Sequence, residues 1–282
     1  MTGMSAADIC ILMPVHRNTS AAHLRGALDS LRHQTLRAGE ILVVRDGPLT
    51  PAHDVVLDEE RALAPELVVL EPGSVGLVGA LNAGLAHTTA AWVARMDADD
   101  VADPRRIELQ ALAAREGTAG VIGSAMLEFE EDPGTATARR DMPLDHDEIV
   151  RKLRSVNPVN HPTVLMCRQD VVSAGGYLPL AGMEDYYLWA RLAAAGTRFH
   201  NLPQPLVHYR VDEASYRRRA DREAIRAEWH LQRHLRRLGL VGPARSATNL
   251  VLRVSFRLLP PRLMRPAYDV VRSVLAGSNR AG

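Results

Sequence analysis

The chain has 282 residues, 46% of them apolar and 4% aromatic, with 34 basic against 33 acidic side chains. This length and composition suit one large α/β domain with an appendage, and they exclude a repeat protein, a low-complexity chain and a disulfide framework. The charge is unevenly spread: from Glu213 onwards fifteen arginines face five acids, so the part before it is acidic and the tail is basic.

In chain order, the apolar run Ile9–Met13 closes at Pro14-Val15-His16-Arg17-Asn18 and predicts a strand entering a loop. Leu24, Leu28 and Leu31 recur at helical spacing inside a helix predicted over Ala22–His33, before Gln34-Thr35. A strand over Ile41–Val44 ends at Arg45-Asp46-Gly47-Pro48. Then come a helix over Pro51–Leu63, a strand over Leu67–Leu70, a helix over Gly76–His87 and a strand over Trp92–Met96. This alternation predicts a mostly parallel, doubly wound central sheet flanked by helices, with right-handed crossovers. The exits at Met13-Pro14, Val44-Arg45-Asp46 and Met96-Asp97 converge on the carboxyl edge, where such sheets bind ligands. Asp103 is expected to cap a helix whose first residue is Pro104.

Beyond Gly117 the pattern is mixed. Val121-Ile122-Gly123 and Met126–Phe129 predict two strands, Glu131–Arg140 a polar loop, and Asp145–Leu153 a short helix. The segment Asn157-Pro158-Val159-Asn160-His161-Pro162-Thr163-Val164 is expected to re-enter the sheet. From Glu213 an Arg-rich helix is predicted to run to about Leu238, followed by amphipathic segments around Leu250–Leu258 and Ala267–Leu275.

The chemistry concentrates where Trp92-Val93-Ala94 meets Arg95-Met96-Asp97-Ala98-Asp99-Asp100. Like charges this close resist burial and need a cation, hydrogen-bond donors or open solvent. A hard divalent ion carrying a diphosphate is one such partner, and a solvated acidic loop is the other reading. Arg95, at the same exit, suits either phosphate oxygens or a neighbouring aspartate. Asp46 stands where a carboxylate can accept a pyrimidine N3–H, or initiate an Asp-Gly-Pro turn. Glu184 and Asp185 open a helix, where acids also serve as dipole partners.

The pieces MPVHRN, QTL, EILVVRDGP, GLVGALNAGLA, ARMDADD, NPVNHPTV, AGGY, MEDYYLWARL and LVHYRV follow one another over about residues 9–215. The set resembles inverting family-2 glycosyltransferases of the GT-A fold, in the branch of bacterial exopolysaccharide (amylovoran) assembly. The resemblance implies a glycosyltransferase domain over residues 1–212, with a nucleotide-sugar half at about 8–103 and an acceptor half at about 104–212. Residues 213–282 would then form a basic amphipathic helical tail. It implies Asp185 as general base with Glu184 orienting acceptor or base, and Asp99 as ligand to Mn2+ or Mg2+. Asp97 would contact the ribose or a metal-bound water. Pro14, His16, Asp46 (on uracil), Asn82, Arg95 and His161 would line the donor or face the site. Two positions depart from the family: His16 stands where an aromatic often packs on the base. Asp212 replaces a histidine that relatives carry after the valine of Tyr209-Arg210-Val211, so no third protein ligand to the metal is assigned.

The implied reaction moves a hexose from a nucleotide sugar, UDP-linked by this reading, to a glycan or lipid-linked acceptor. A sugar nucleotidyltransferase on a similar fold is the rival enzyme class, but a Gly-rich, Lys-containing N-terminal loop for a triphosphate is missing. A non-catalytic membrane partner is the rival outside enzymes. The arginines of the tail, without stacking aromatics, point to an anionic membrane surface and not to nucleic acid. The absence of an apolar run of about 18 to 20 residues and the apolar settings of Cys10 and Cys167 imply a cytoplasmic enzyme at the inner face of the cell membrane. Whether it forms a homodimer stays open.

Overall fold

Ile9–Met13 form the centre of the sheet because every residue there is apolar, and each is at most 1% exposed. A strand covered on both faces needs no apolar–polar alternation. The computed structural model describes residues 5–211 and 222–257. Within the first stretch, β1 (Ile9–Val15), β2 (Glu40–Asp46), β3 (Leu67–Gly73) and β4 (Trp92–Arg95) alternate with α1 (Ala21–Arg32), α2 (Pro51–Leu63) and α3 (Gly76–His87). The predicted strands and helices of this half are all present. Their pairings are parallel, in the order β3-β2-β1-β4. Leu24, Ala27, Leu28 and Leu31 are the buried stripe of α1.

The second half departs from the expected mostly parallel sheet. The order continues β8-β6-β9-β5, through β5 (Val101–Ala102), β6 (Val121–Phe129), β8 (Leu165–Cys167) and β9 (Phe199–Arg210). Only β6 with β9 is parallel; β8 runs antiparallel to both β4 and β6, and β5 antiparallel to β9. The sheet is therefore mixed. The reason is local: β6 returns through a hairpin to β7 (Ala138–Arg140), so no crossover helix imposes a parallel return there.

Four boundaries also differ from expectation. The two strands predicted around Gly123 are one, whose register against β9 shifts on either side of Ala125. The loop Glu131–Arg140 ends in β7. The Asn157–Val164 segment is a loop with one short turn at His161–Thr163, and the sheet resumes at Leu165. The helix after the acidic loop, α4 (Arg106–Glu116), starts two residues later than Pro104, because Asp103 Oδ1 accepts the Arg105 N–H in a turn. Gln34 supplies the missing cap from a distance: its Oε1 accepts the Ile107 N–H at 3.0 Å, and its Nε2 donates to the Asp103 carbonyl at 2.8 Å.

The remaining helices of the first stretch are α5 (His146–Leu153), α6 (Arg168–Ser173) and α7 (Glu184–Ala194). The chain divides into two units. One comprises Met1–Pro179 and Glu184–Val211; the other comprises Leu180–Met183 and Asp212–Gly282. The described part of the second is a hairpin of α8 (Arg222–Arg237) and α9 (Pro243–Arg257). Gly239 (φ +72°) ends α8, with Gly239 N–H on the Arg236 carbonyl and Leu240 N–H on the Leu235 carbonyl, the paired bonds of a Schellman stop. The segment predicted at Leu250–Leu258 thus belongs to a longer helix, while Ala267–Leu275 lies outside the described residues. Between the two helices, Glu228 pairs with Arg253 at 3.0 Å and Asn249 donates to Gln232 at 3.2 Å. No described helix is long and apolar enough to cross a membrane.

Gln34 is buried and bonded at both ends of its amide, so Gln34→Ala leaves the Ile107 N–H and the Asp103 carbonyl without it. The expected loss is about 2–3 kcal/mol of unfolding free energy, read as a lower urea midpoint with an unchanged slope. An unchanged midpoint would show that the α1–α4 clasp is dispensable.

Candidate active site

The carboxyl ends of β1, β2 and β4 meet at one edge, as Leu12 pairs with Arg95 and Val15 with Arg45. The acidic loop leaves β4 there and is tied to the end of β9. Asp100, fully buried, accepts the Arg210 N–H on Oδ1 at 2.9 Å, and the Arg210 Nε donates to the Asp99 carbonyl at 3.1 Å. Arg210 also reaches the carbonyls of Glu130 (2.9 Å) and Glu131 (3.3 Å) and lies 4.4 Å over the Phe129 ring. The loop is thereby joined to the β6–β7 turn.

Arg95 is buried, and its guanidinium binds Asp97. Below it, Arg106 is wholly buried. It donates to the Arg95 carbonyl at 2.5 Å, to Met96 Sδ at 3.0 Å and to Gln110 Oε1 at 3.2 Å. Burial and the Arg95 charge push Arg106 down to about 9. Burial, then the Asp97 charge, raises the Asp99 carboxyl above its ordinary range; the same causes raise Asp100 further, with Asp99 adding to them. Asp100 Oδ2 is buried with no hydrogen-bond partner among the described residues. A carboxylate set so poorly compensated fits a cation. Among the described residues no group of three or more His, Cys, Asp or Glu forms a ready-made metal cage. An ion here would complete its shell with other oxygens, as Mg2+ does on one or two carboxylates and phosphate.

Asp46 is held as well as placed. Its Oδ1 accepts the N–H groups of Val75 and Gly76, both at 2.8 Å, fixing the entry to α3. Pro14 lies beside Val44 in the β1–β2 register, and His16 is exposed, within 3.3 Å of the Thr19 hydroxyl. Asn82 sits behind the site: its Oδ1 accepts the Tyr177 N–H and its Nδ2 donates to the Tyr177 carbonyl, both at 2.8 Å. That two-point clamp engages both ends of the amide and presents Tyr177. The Tyr177 hydroxyl meets His161 Nε2 at 2.9 Å, and burial, then the Arg95 charge, holds His161 well below the usual imidazole range. His161 is a neutral inward-facing residue beside Tyr177 and Trp189. His208 donates through Nδ1 to the Pro133 carbonyl (2.8 Å), again in the β6–β7 turn.

Glu184 and Asp185 open α7, and Asp185 is bonded on both oxygens. Oδ1 accepts the Tyr186 N–H and Oδ2 the Asn157 amide, each at 2.7 Å. Burial, then the Glu184 charge, pushes Asp185 up to about 6, against the two donors and the Arg95 charge. A base in that range is ionised at neutral pH yet retains proton affinity. Sequence reading missed Asn157, Arg106 and Arg210 as parts of the site. Arg106 and Gln110 do stand at i and i+4 after the acidic loop, and Arg210 lies in the matched LVHYRV piece. Nothing local ties Asn157 to Asp185. A recess of about 250 Å³ lined by His146, Arg198, Phe199 and His200 lies at the starts of β6 and β9, the opposite edge of the sheet.

The carboxyl edge, with its acidic loop and helix-start carboxylates, is thus the candidate site. The chain belongs to glycosyl transferase family 2, whose sequence profile matches residues 10–176. It is 36% identical over 92% of its length to an uncharacterized glycosyltransferase of Haemophilus influenzae, covering 97% of that protein. It is 34% identical over 92% to the amylovoran biosynthesis glycosyltransferase AmsE of Erwinia amylovora, again covering 97%. A UDP-Gal:alpha-D-GlcNAc-diphosphoundecaprenol beta-1,3-galactosyltransferase of Escherichia coli is 29% identical over 89% of the chain and is itself covered to 91%. Two solved structures share the fold. TarS residues 1–349 of S. aureus, solved with UDP-GlcNAc, has a TM-score of 0.65 at 15% identity, over 90% of this chain and 72% of that one. The mannosyltransferase PcManGT of Pyrobaculum calidifontis, solved with GDP-Man and Mn2+, has 0.60 at 20% identity, over 98% and 76%. The fold is therefore the α/β GT-A type expected from the sequence, with a mixed sheet.

Proposed function

We propose that the protein is a metal-dependent, inverting hexosyltransferase of exopolysaccharide or cell-envelope glycan synthesis. It would transfer one sugar from a UDP-sugar to a lipid-linked oligosaccharide or polysaccharide. The observation that carries this reading is the meeting of the β1, β2 and β4 exits at one edge, which brings Asp46 and the acidic loop Asp97–Asp100 together there. The names of the amylovoran and galactosyl relatives support the glycan and the lipid-linked acceptor.

Asp46, anchored through Oδ1, offers Oδ2 to the uracil N3–H, while Pro14 and His16 lie at the neighbouring β1 exit. Asp99, with Asp97 beside it, is the group that would hold Mn2+ or Mg2+, which when bound supplies charge neutralisation to the departing diphosphate. The acceptor hydroxyl is held by Asp185, with Glu184 orienting it. As its oxygen bonds to the anomeric carbon, its proton passes to the Asp185 carboxylate and the bond to the diphosphate oxygen breaks on the opposite face. One displacement gives one inversion.

Calorimetry tests the donor site. With Mn2+, UDP is expected to bind more tightly than GDP, and Asp99→Asn to lose the metal-dependent part of that affinity. Tighter GDP binding sinks the uridine assignment, and an Asp99→Asn variant with full metal response sinks the ligand assignment.

Transfer tests the base. Asp185→Asn is expected to bind UDP with metal but to lose about 10²- to 10⁴-fold in turnover. The wild-type rate should fall as pH drops through about 6, because only the ionised carboxylate accepts a proton. Proton NMR of the product should show the inverted anomer. Near-normal turnover in the Asn variant, or retained configuration, overturns the mechanism.

The tail is proposed to hold the enzyme on anionic membranes. Leu231 and Leu235 are fully buried (0% exposed), so they are not available to lipid. Trp229, Val251 and Leu252 are exposed instead, as are Arg226, Arg233, Arg236 and Arg237. Arg217, Arg218 and Arg219, also in the tail, lie outside the described residues. Apolar side chains among arginines suit a headgroup boundary. Flotation should show binding to anionic and not to zwitterionic vesicles at low salt, reversed by salt; equal behaviour with both excludes this role.

A further inference from the structure

We infer that Asn157 is a positioning residue for sugar transfer, its side-chain amide holding Asp185 Oδ2 in the direction from which the acceptor's proton is taken. This rests on the reading of Asp185 as the base.

The geometry is one-sided. Asn157 Oδ1 accepts the Val159 N–H at 3.3 Å, which fixes which end of the amide is which and turns Nδ2 toward Asp185. With the Tyr186 N–H on Oδ1, each carboxylate oxygen has one donor from the protein, so rotation of the group costs a hydrogen bond whichever way it turns. The loop behind Asn157 is fixed in turn. Asn201 Nδ2 donates to the Pro158 carbonyl at 3.1 Å and the Pro143 carbonyl at 2.7 Å, and Asn160 Nδ2 donates to the Ser124 carbonyl at 2.9 Å. A donor mounted on such a loop keeps its place while substrate comes and goes.

The charges facing Asp185 define what the amide adds. Glu184 on the same helix raises its proton affinity, Arg95 from β4 lowers it, and Tyr177, bonded to neutral His161, stands near as a buried phenol. Asn157 lowers it without a charge of its own, so it favours the ionised form and leaves Asp185 a base.

The test is the pH dependence of kcat at saturating donor for the wild type, Asn157→Ala and the near-isosteric Asn157→Asp, alongside UDP–Mn2+ calorimetry and Asp185→Asn. In Asn157→Ala the acid limb should move up by about one pH unit. Its rate should fall on the order of 10- to 100-fold near pH 6 and recover in part at alkaline pH, with UDP affinity unchanged. Asn157→Asp, which adds a like charge, should move the limb at least as far, and it carries the test if the alanine variant does not fold. An acid limb that stays in place in whichever variant folds overturns the proposal, even if the rate falls, because a merely structural loop would lower kcat or UDP affinity without moving the limb. If Asp185→Asn is inactive while the Asn157 variants are unshifted, only the role of Asn157 fails. If Asp185→Asn is active, the base assignment fails and the role of Asn157 with it.

Discussion

The crowding of Asp97, Asp99 and Asp100 at the exit of β4 is the constraint that the rest of the site answers. Two carboxylates about 4 Å apart repel by roughly 4 kcal/mol at an effective dielectric near 20, and burial adds to that. The protein meets this with three arginines of different kinds. Arg95 pairs directly with Asp97. Arg106 is sealed beneath, bonded to the Arg95 carbonyl, and gives a fixed positive charge that no solvent screens. Arg210 takes Asp100 through its backbone and the Asp99 carbonyl through its side chain. Compensation remains incomplete, since Asp100 Oδ2 is buried without a hydrogen bond among the described residues and Asp99 stays raised. The proposed cation would add positive charge at this point.

How much of this was legible follows the range of the interactions. The strands and helices of the first hundred residues announce themselves by apolar runs and helical periodicity, which are properties of neighbours in sequence, and their exits locate the ligand edge. The second half is less legible because its pairings are not carried by repeated crossover units. The β6–β7 hairpin and the antiparallel entry of β8 depend on which strand edges are open, and periodicity does not record that. The same holds within the site. Asp99, Asp46 and Asp185 stand at strand exits or a helix start, and a motif marks each. Asn157 reaches Asp185 across 28 positions, and the Arg210 backbone reaches Asp100 across 110. No local pattern predicts those bonds, although both residues lie inside matched pieces.

The C-terminal hairpin makes the same point about faces. Its amphipathic character is visible in the sequence, but which stripe faces inward is not. Leu231 and Leu235 share the buried stripe of α8 with Glu228 and Gln232, and the polar pair is satisfied by Arg253 and Asn249 of α9. A buried charge whose partner sits on the other helix penalises slippage, because any shift of register would strand Glu228 without its guanidinium. The apolar stripe alone would tolerate such a shift far better. The exposed Trp229, Val251 and Leu252 are then residues that the hairpin does not need for its own packing.

A common device runs through three carboxylates of the candidate site. Asp46, Asp100 and Asp185 each have Oδ1 held by backbone N–H groups: Val75 and Gly76 for the first, Arg210 for the second, Tyr186 for the third. A backbone donor fixes a carboxylate in space without cancelling its charge, whereas an arginine partner would leave little of it for a ligand. Arg95 on Asp97 is the contrasting case, where a guanidinium takes Oδ2. The scaffold thus holds one oxygen and leaves the other to differ in use: Oδ2 of Asp185 turns to the Asn157 amide, and Oδ2 of Asp100 has no partner among the described residues. Position comes from the fold, and the charge is left uncancelled.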